Sequence, residues 1–337
     1  MSKLPSFPYN TIDYGEKDRD DINFLSDVSK NGKNKPWVEN KKKSLLLSES
    51  YKRLGLKNKS FRVSECGTFL EFKKFVDGSL KLNGANFCKV RLCPMCSWRR
   101  SLKIFSQVSE IMNYFDSSSY SFLFLTLTCK NCSGAELKET ISNLFKSFNL
   151  LSKNKKFKSA VKGYFRALEV SHNLNINSES YNTFHPHFHL ILAVPKNYFV
   201  NPDFYISHSE WIELWKKCLK VNYSPIVDVR KFKTSNISKS VAEVAKYTVK
   251  SSDYLVFNDK NNIDEDLTDY SVLILDEALS RRRLISFGGC FKTAHKKLNL
   301  DDSIDGDLTD SDEIRDDLNY IIEQYHWHIG YAQYVKI

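Results

Sequence analysis

The chain has 337 residues, 42% of them hydrophobic and 27% charged, the balance of a globular protein long enough to bury one large core or several smaller ones. No run is apolar and long enough to cross a bilayer, and Met1-Ser2-Lys3-Leu4-Pro5 lacks the apolar stretch of a secretion signal; this excludes a membrane partner, predicts a cytoplasmic location and implies that the eight cysteines are reduced or metal-bound. A formal charge of +10 points to a polyanionic partner, most simply nucleic acid.

Residues 1–60 are polar and basic and read as a partly disordered arm with one helix near Ser44–Lys52. Residues 30–62 carry eleven Lys/Arg against two Glu, and Lys41, Lys42 and Lys43 are the natural DNA contacts there, since basic arms often order on nucleic acid. Residues 61–100 form a cysteine-rich segment with a strand at Thr68–Val76. The spacing of Leu102, Phe105, Val108, Ile111 and Met112 predicts a helix over Trp98–Phe115. Ser121–Thr128 (SFLFLTLT) reads as a buried strand, and Gly134–Leu151 as a helix. Strands follow at Gly163–Val170 and His187–Val194, then a helix over Ser209–Lys220, a short strand at Tyr223–Val229 and a helix over Ser240–Val249. Asn258–Asp269 is acidic and polar and reads as a linker. Val272–Leu284 reads as a helix, Gly288-Gly289 as a turn, and Tyr325–Val335 as strand-like. The order of elements from 121 to 250 predicts an α+β fold with a mainly antiparallel central sheet flanked by helices.

Three clusters carry chemistry. In Phe184-His185-Pro186-His187-Phe188-His189 an extended strand puts His185, His187 and His189 on one face and Phe188, Leu190, Leu192 and Val194 on the other; a row of imidazoles there suits a divalent metal ion. In Val241–Lys250 (VAEVAKYTVK) helical spacing groups Glu243, Tyr247, Lys250 and the following Tyr254 away from the apolar positions, with Glu243 one turn before Tyr247. A tyrosine hydroxyl set among cations can attack a phosphodiester polarised by a bound metal ion. Lys246 and Lys250 would supply positive field, and Glu243 a general base for a second nucleophile. In the third cluster, Cys88-x4-Cys93-x2-Cys96 with Cys66 upstream has the ligand types of a structural zinc site, although Cys129 and Cys132 could replace Cys66 and Cys88. Arg99 and Arg100, beside that site, would meet phosphates.

FLFLTLT, HPHFHLIL and EVAKYTVKSSDYL, in that order and roughly 60 residues apart, together with FCKVRLCPMCSWRR and RRRLISFGGCFK, resemble the motifs of HUH endonucleases, and more narrowly the replication initiators of rolling-circle plasmids of Gram-positive bacteria. The resemblance runs from about residue 61 to 300. It implies an HUH-like nicking domain over 101–257 preceded by the cysteine segment and followed by an accessory region over 258–337. It further implies Mg²⁺ or Mn²⁺ on His187, His189 and an acidic third ligand, for which Glu169 (RALEV) is the candidate and His185 the rival. Tyr247 would be the nucleophile and Glu243 the activator of water at termination. The implied activity is nicking of one strand at the double-strand origin, with a 5′-phosphotyrosine and a free 3′-OH, and release by a second cleavage. Implied partners are origin DNA, double- and single-stranded, and a host helicase, DNA polymerase and single-strand-binding protein. Another HUH enzyme (a mobilisation relaxase or single-strand transposase) and a non-enzymatic zinc-dependent DNA-binding regulator are the alternatives.

Overall fold

A computed structural model describes residues 22–29, 31–115, 119–232, 241–242, 249–302, 304–309 and 319–337. The chain divides into two units, one of residues Met1–Lys103, Tyr254–Leu273 and Asp307–Ile337, the other of Ile104–Asp253 and Ile274–Gly306.

In the first unit, helix α1 spans Trp37–Arg53, longer than the helix expected at 44–52. Its inward residues Trp37, Lys41, Ser44, Leu47, Ser48 and Tyr51 recur every three or four positions, so one stripe is buried. Helix α2 (Lys57–Glu65) follows, then strands β1 (Phe69–Phe75) and β2 (Leu80–Ala85) and the start of helix α3 (Pro94–Tyr114). A late hairpin, β8 (Tyr320–His328) and β9 (Gln333–Lys336), completes a sheet of order β2-β1-β8-β9. The strand-like stretch 325–335 is thus two strands and their turn. Trp37 meets Phe72 and Trp98 edge-on, with ring centroids 5.5 and 4.6 Å apart. Tyr254, expected beside Tyr247, is instead a core residue here: it is 1% exposed and donates to the Leu92 carbonyl.

The second unit is built on a five-stranded antiparallel sheet of order β6-β3-β5-β4-β7. Its strands are β3 (Tyr120–Thr128), β4 (Gly163–Asn173), β5 (Thr183–Pro195), β6 (Val227–Lys231) and β7 (Ile285–Gly289). The α+β class with an antiparallel sheet is as the element order predicts. Helix α4 (Gly134–Lys153) starts at a capping box in which Ser133 and Glu136 satisfy each other's end of the helix. The short α5 (Lys155–Ala160) and α6 (His208–Leu219) follow, and Ser207 and Glu210 form a second capping box at α6.

Both faces of the sheet are covered. On one face Phe188 packs against Phe145 and Phe148 of α4. On the other, Phe124, Phe165, Ile191, Ala193 and Ile285 pack with Ile104, Val108 and Ile111 of α3. The histidines lie on this second face, where the strand leaves the core.

The acidic stretch read as a linker becomes helical at Glu265, where α7 (Glu265–Leu279) begins. The expected accessory region 258–337 is divided between the two sheets, because β7 pairs with β4 and β8 with β1. Gly289 ends β7 and precedes helix α8 (Cys290–Lys297) directly. It has φ +55°, and a Cβ there would collide with the Lys162 carbonyl. Gly289→Ala is therefore expected to cost about 2–3 kcal/mol, read as a lower urea midpoint with unchanged slope.

Candidate metal centres

Strand register assembles the first centre. Glu169 lies opposite His187, Ala167 opposite His189, and Thr126 opposite His189 on the other side. Residues directly opposite share a face, so Glu169, His187, His189 and Thr126 converge. His189 Nε2 is 2.9 Å from Glu169 Oε2 and 3.1 Å from His187 Nε2, and His187 Nε2 is 3.7 Å from the same carboxylate oxygen. Octahedral ligands about 2.1 Å from a metal lie about 3 Å apart when adjacent; two of the three separations fit that spacing and the third, 3.7 Å, is wider. His187 Nδ1 faces the His185 carbonyl at 3.1 Å. Only an N–H can be satisfied there, so its Nε2 carries the lone pair. Two imidazole nitrogens and a carboxylate aimed at one point are a donor set for a cation. Burial pushes the Glu169 carboxyl up, but the neighbouring His187 and His189 outweigh it and hold the group well below the usual carboxylate range.

Of the two candidates for third ligand, the geometry favours Glu169. Among the described residues the converging set is Glu169, His187 and His189, while His185 Nδ1 is engaged by Asn131 Oδ1 at 2.8 Å. Burial, then the neighbouring His187, lowers the His185 pKa to about 4. Lys250 does not stand alone as a field for the tyrosine: its Nζ is 3.1 Å from Glu169 Oε1. It holds the oxygen that the histidines leave, which orients the carboxylate. Sequence reasoning missed this pairing because the two residues are far apart in the chain and on different elements. Glu243, Lys246 and Tyr247 lie outside the described residues.

The second centre is in the other unit. The Sγ atoms of Cys66, Cys88, Cys93 and Cys96 all lie within 4.8 Å of one another. Cys66 and Cys96 are 3.4 Å apart and Cys88 and Cys96 3.7 Å. A tetrahedral zinc with Zn–S of about 2.3 Å requires S···S separations of about 3.8 Å, so the four sulfurs suit that ion, and all are free thiols. Backbone N–H groups of Cys88, Lys89 and Val90 donate to Cys66, Cys96 and Cys88 sulfurs, which favours thiolates. Burial opposes ionisation of Cys93, but hydrogen bonds from the other three thiols hold it well below its usual value. Cys129 and Cys132 instead face the carbonyls of Pro186 and Phe184.

The two centres lie in a chain whose relatives are known. Residues 79–335 match the model of a family described as replication protein. A "Protein rep" of Bacillus amyloliquefaciens is 40% identical over 94% of this chain and 98% of its own length. A "Protein rep" of Streptococcus pneumoniae is 37% identical over 90% of the chain and 92% of its length. The chain belongs to the family of plasmid rolling-circle Rep proteins. No solved structure matches this family member.

In this Rep protein several cations expected to contact DNA are buried. Arg99 is fully buried; it donates to the carbonyls of Leu308 and Thr309 and lies over the rings of Trp37 and Trp98. Arg100 donates to the carbonyls of Lys89 and Val90. Lys41 is also fully buried, on the carbonyls of Ser64 and Cys66. These three are structural, because each is buried and spends its donors on backbone carbonyls. Lys42 is half-buried, and Lys43 pairs with Glu39 at 2.5 Å. His326 and His328 flank the buried Trp327 on β8 and join neither centre.

Among the described residues Lys41 makes no ion pair with a carboxylate; the charges that act on it are those of Cys66, Cys93, Glu65 and Cys88. Burial lowers its pKa to about 8 against the pull of Cys66 and Cys93. A zinc tetrathiolate carries a net charge of −2, and a buried ammonium beside it offsets half. Lys41→Met is expected to weaken zinc retention about 10- to 100-fold, measured by competition with a chromogenic chelator.

Proposed function

We propose that this Rep protein starts plasmid replication by nicking one strand of the double-strand origin through tyrosine transesterification. The observation that carries the proposal is the Glu169–His187–His189 cluster on one face of the antiparallel sheet. It lies in the sequence between the strand FLFLTLT and the segment that contains Tyr247. Those three residues would hold a magnesium or manganese ion, which supplies charge stabilisation to the non-bridging oxygens of the scissile phosphate. Tyr247 gives up its hydroxyl proton, its Oη bonds to phosphorus, the bond from phosphorus to the 3′ oxygen breaks, and that oxygen takes up a proton, so that none is gained or lost overall. The products are a 5′-phosphotyrosine and a primer 3′-OH. When a second cleavage ends the round, Glu243 accepts a proton from water, the water oxygen bonds to phosphorus, and the 3′ oxygen leaves and takes up a proton. Lys246 supplies positive field to the tyrosine, and Lys250 steadies Glu169.

In the same reading the cysteine cluster holds one structural zinc ion within the 61–100 segment, and residues 101–257 are the nicking domain. Among the described residues no helix is long and apolar enough to cross a membrane; as a plasmid replication initiator the protein would act in the cytoplasm. There a host helicase, polymerase and single-strand-binding protein would extend and clear the primer. Family membership favours an initiator over a relaxase or a transposase.

The test is incubation of the protein with supercoiled plasmid carrying its origin and Mn²⁺. The expected result is an open-circular product with protein bound to its 5′ end. His187→Ala with His189→Ala should lose at least about 100-fold in rate while still binding origin DNA. A wild-type protein that binds the origin and never cleaves it points to the zinc-dependent regulator instead.

A further inference from the structure

We infer that a groove beside β7 is a subsite for single-stranded DNA flanking the scissile phosphate; this rests on the nicking reading and says where the strand runs. The groove, of about 330 Å³, lies within the second unit and is lined by Arg283, Phe287, Lys292, His295, Lys296 and Asp302 among others.

The first observation is position. β7 is the outer strand of the sheet, next to β4. Ile285, also part of the groove wall, lies opposite Ala167, and Ala167 lies opposite His189. Directly opposite residues share a face, and neighbouring strands are about 4.8 Å apart. The groove therefore opens on the same face as the metal ligands, two strands or about 10 Å away. The ladder continues past Ile285, since Leu168 N donates to the Leu284 carbonyl, and the next residue outward is Arg283.

The second observation is composition. Arg283, Lys292 and Lys296 are exposed. Phe287 and His295 form a ring pair with centroids 4.8 Å apart and planes inclined by 40°. One acidic residue tempers the charge: Asp302 pairs with Arg283 at 3.0 Å. Cations that track a backbone beside aromatic rings that stack bases are what single strands require. A duplex, whose bases are already stacked internally, gains little from the rings. The bottom of the groove is the same apolar layer that packs α8 on the sheet, which holds the rings in place before a strand arrives.

The test is fluorescence anisotropy with a labelled oligothymidylate of about 12 nucleotides, without divalent ions, in a Tyr247→Phe background. Neither the metal centre nor the nucleophile then affects the reading, so failure of the nicking mechanism shows only in the plasmid assay. Lys292→Ala with Lys296→Ala is expected to weaken binding about tenfold and to lower the salt slope by about 1.4, at about 0.7 per single-strand phosphate contact. His295→Ala should weaken binding similarly and His295→Phe restore it. The lysines are exposed, so the double variant should melt with the parent. An unchanged salt slope overturns the proposal. So does an equal loss for a duplex of the same length, or a free thymidine monophosphate that competes as well as the oligomer.

Discussion

Tyr247→Phe should abolish both nicking and the covalent protein–DNA adduct, with a loss on the order of 10⁴-fold or more, the scale on which removal of a nucleophile acts. The substitution deletes one oxygen and leaves the ring, so origin binding and the melting temperature should stay with the parent. Residual cleavage would have to come from water. A phenylalanine variant that still yielded a denaturation-resistant adduct would sink the assignment and direct attention to another hydroxyl. Tyr254 is a poor substitute, because its hydroxyl is buried on the Leu92 carbonyl. Glu243→Gln separates the two cleavages: the first nick and adduct should persist while release of circular single strands falls. The readouts are an SDS-stable adduct on labelled origin DNA and the ratio of nicked to released product.

The second large effect is expected at the cysteines. Cys96 lies within reach of two other sulfurs and accepts the Lys89 N–H. Cys96→Ser leaves three sulfur ligands, one short of a tetrahedral zinc site, beside the buried Lys41 on the Cys66 carbonyl. Structural zinc contributes about 10–16 kcal/mol in small sites, comparable with the whole stability of an ordinary domain. The variant should bind no zinc, against one ion per chain in the parent, and lose more than about 10 °C in Tm. Prolonged chelation of the parent should reproduce the loss, and added zinc should reverse it in the parent alone. A Cys96→Ser protein that melts with the parent, together with a parent insensitive to chelators, would mean that the cluster is a packed thiol core.

The metal-ligand strand was legible because a period of two is a local property. Three histidines at alternate positions share a face whatever the sheet does around them. The helices with strong apolar spacing, α3 and α4, were legible for the same reason. The start of α7 was hidden by its acidic first turn, Glu265 and Asp266, where carboxylates favour a helix N-terminus yet resemble a polar linker. The exact register and the partners of β6 and β7 were not legible, because register is set by packing across the sheet.

Local chemistry in the chain thus determined the donor types, the antiparallel α+β class and the order of the motifs. Only the tertiary structure decided which donors meet. It set Glu169 rather than His185 at bonding distance of the two histidines, gathered Cys66 and Cys88 rather than Cys129 and Cys132 with Cys93 and Cys96, and placed Lys250 on the second carboxylate oxygen. It also withdrew Arg99, Arg100 and Lys41 from the surface. The reason is common to all of these. A residue's type states what it can bond, while burial and cross-strand register state what lies within bonding distance. Buried cations in particular satisfy carbonyls that no sequence pattern announces.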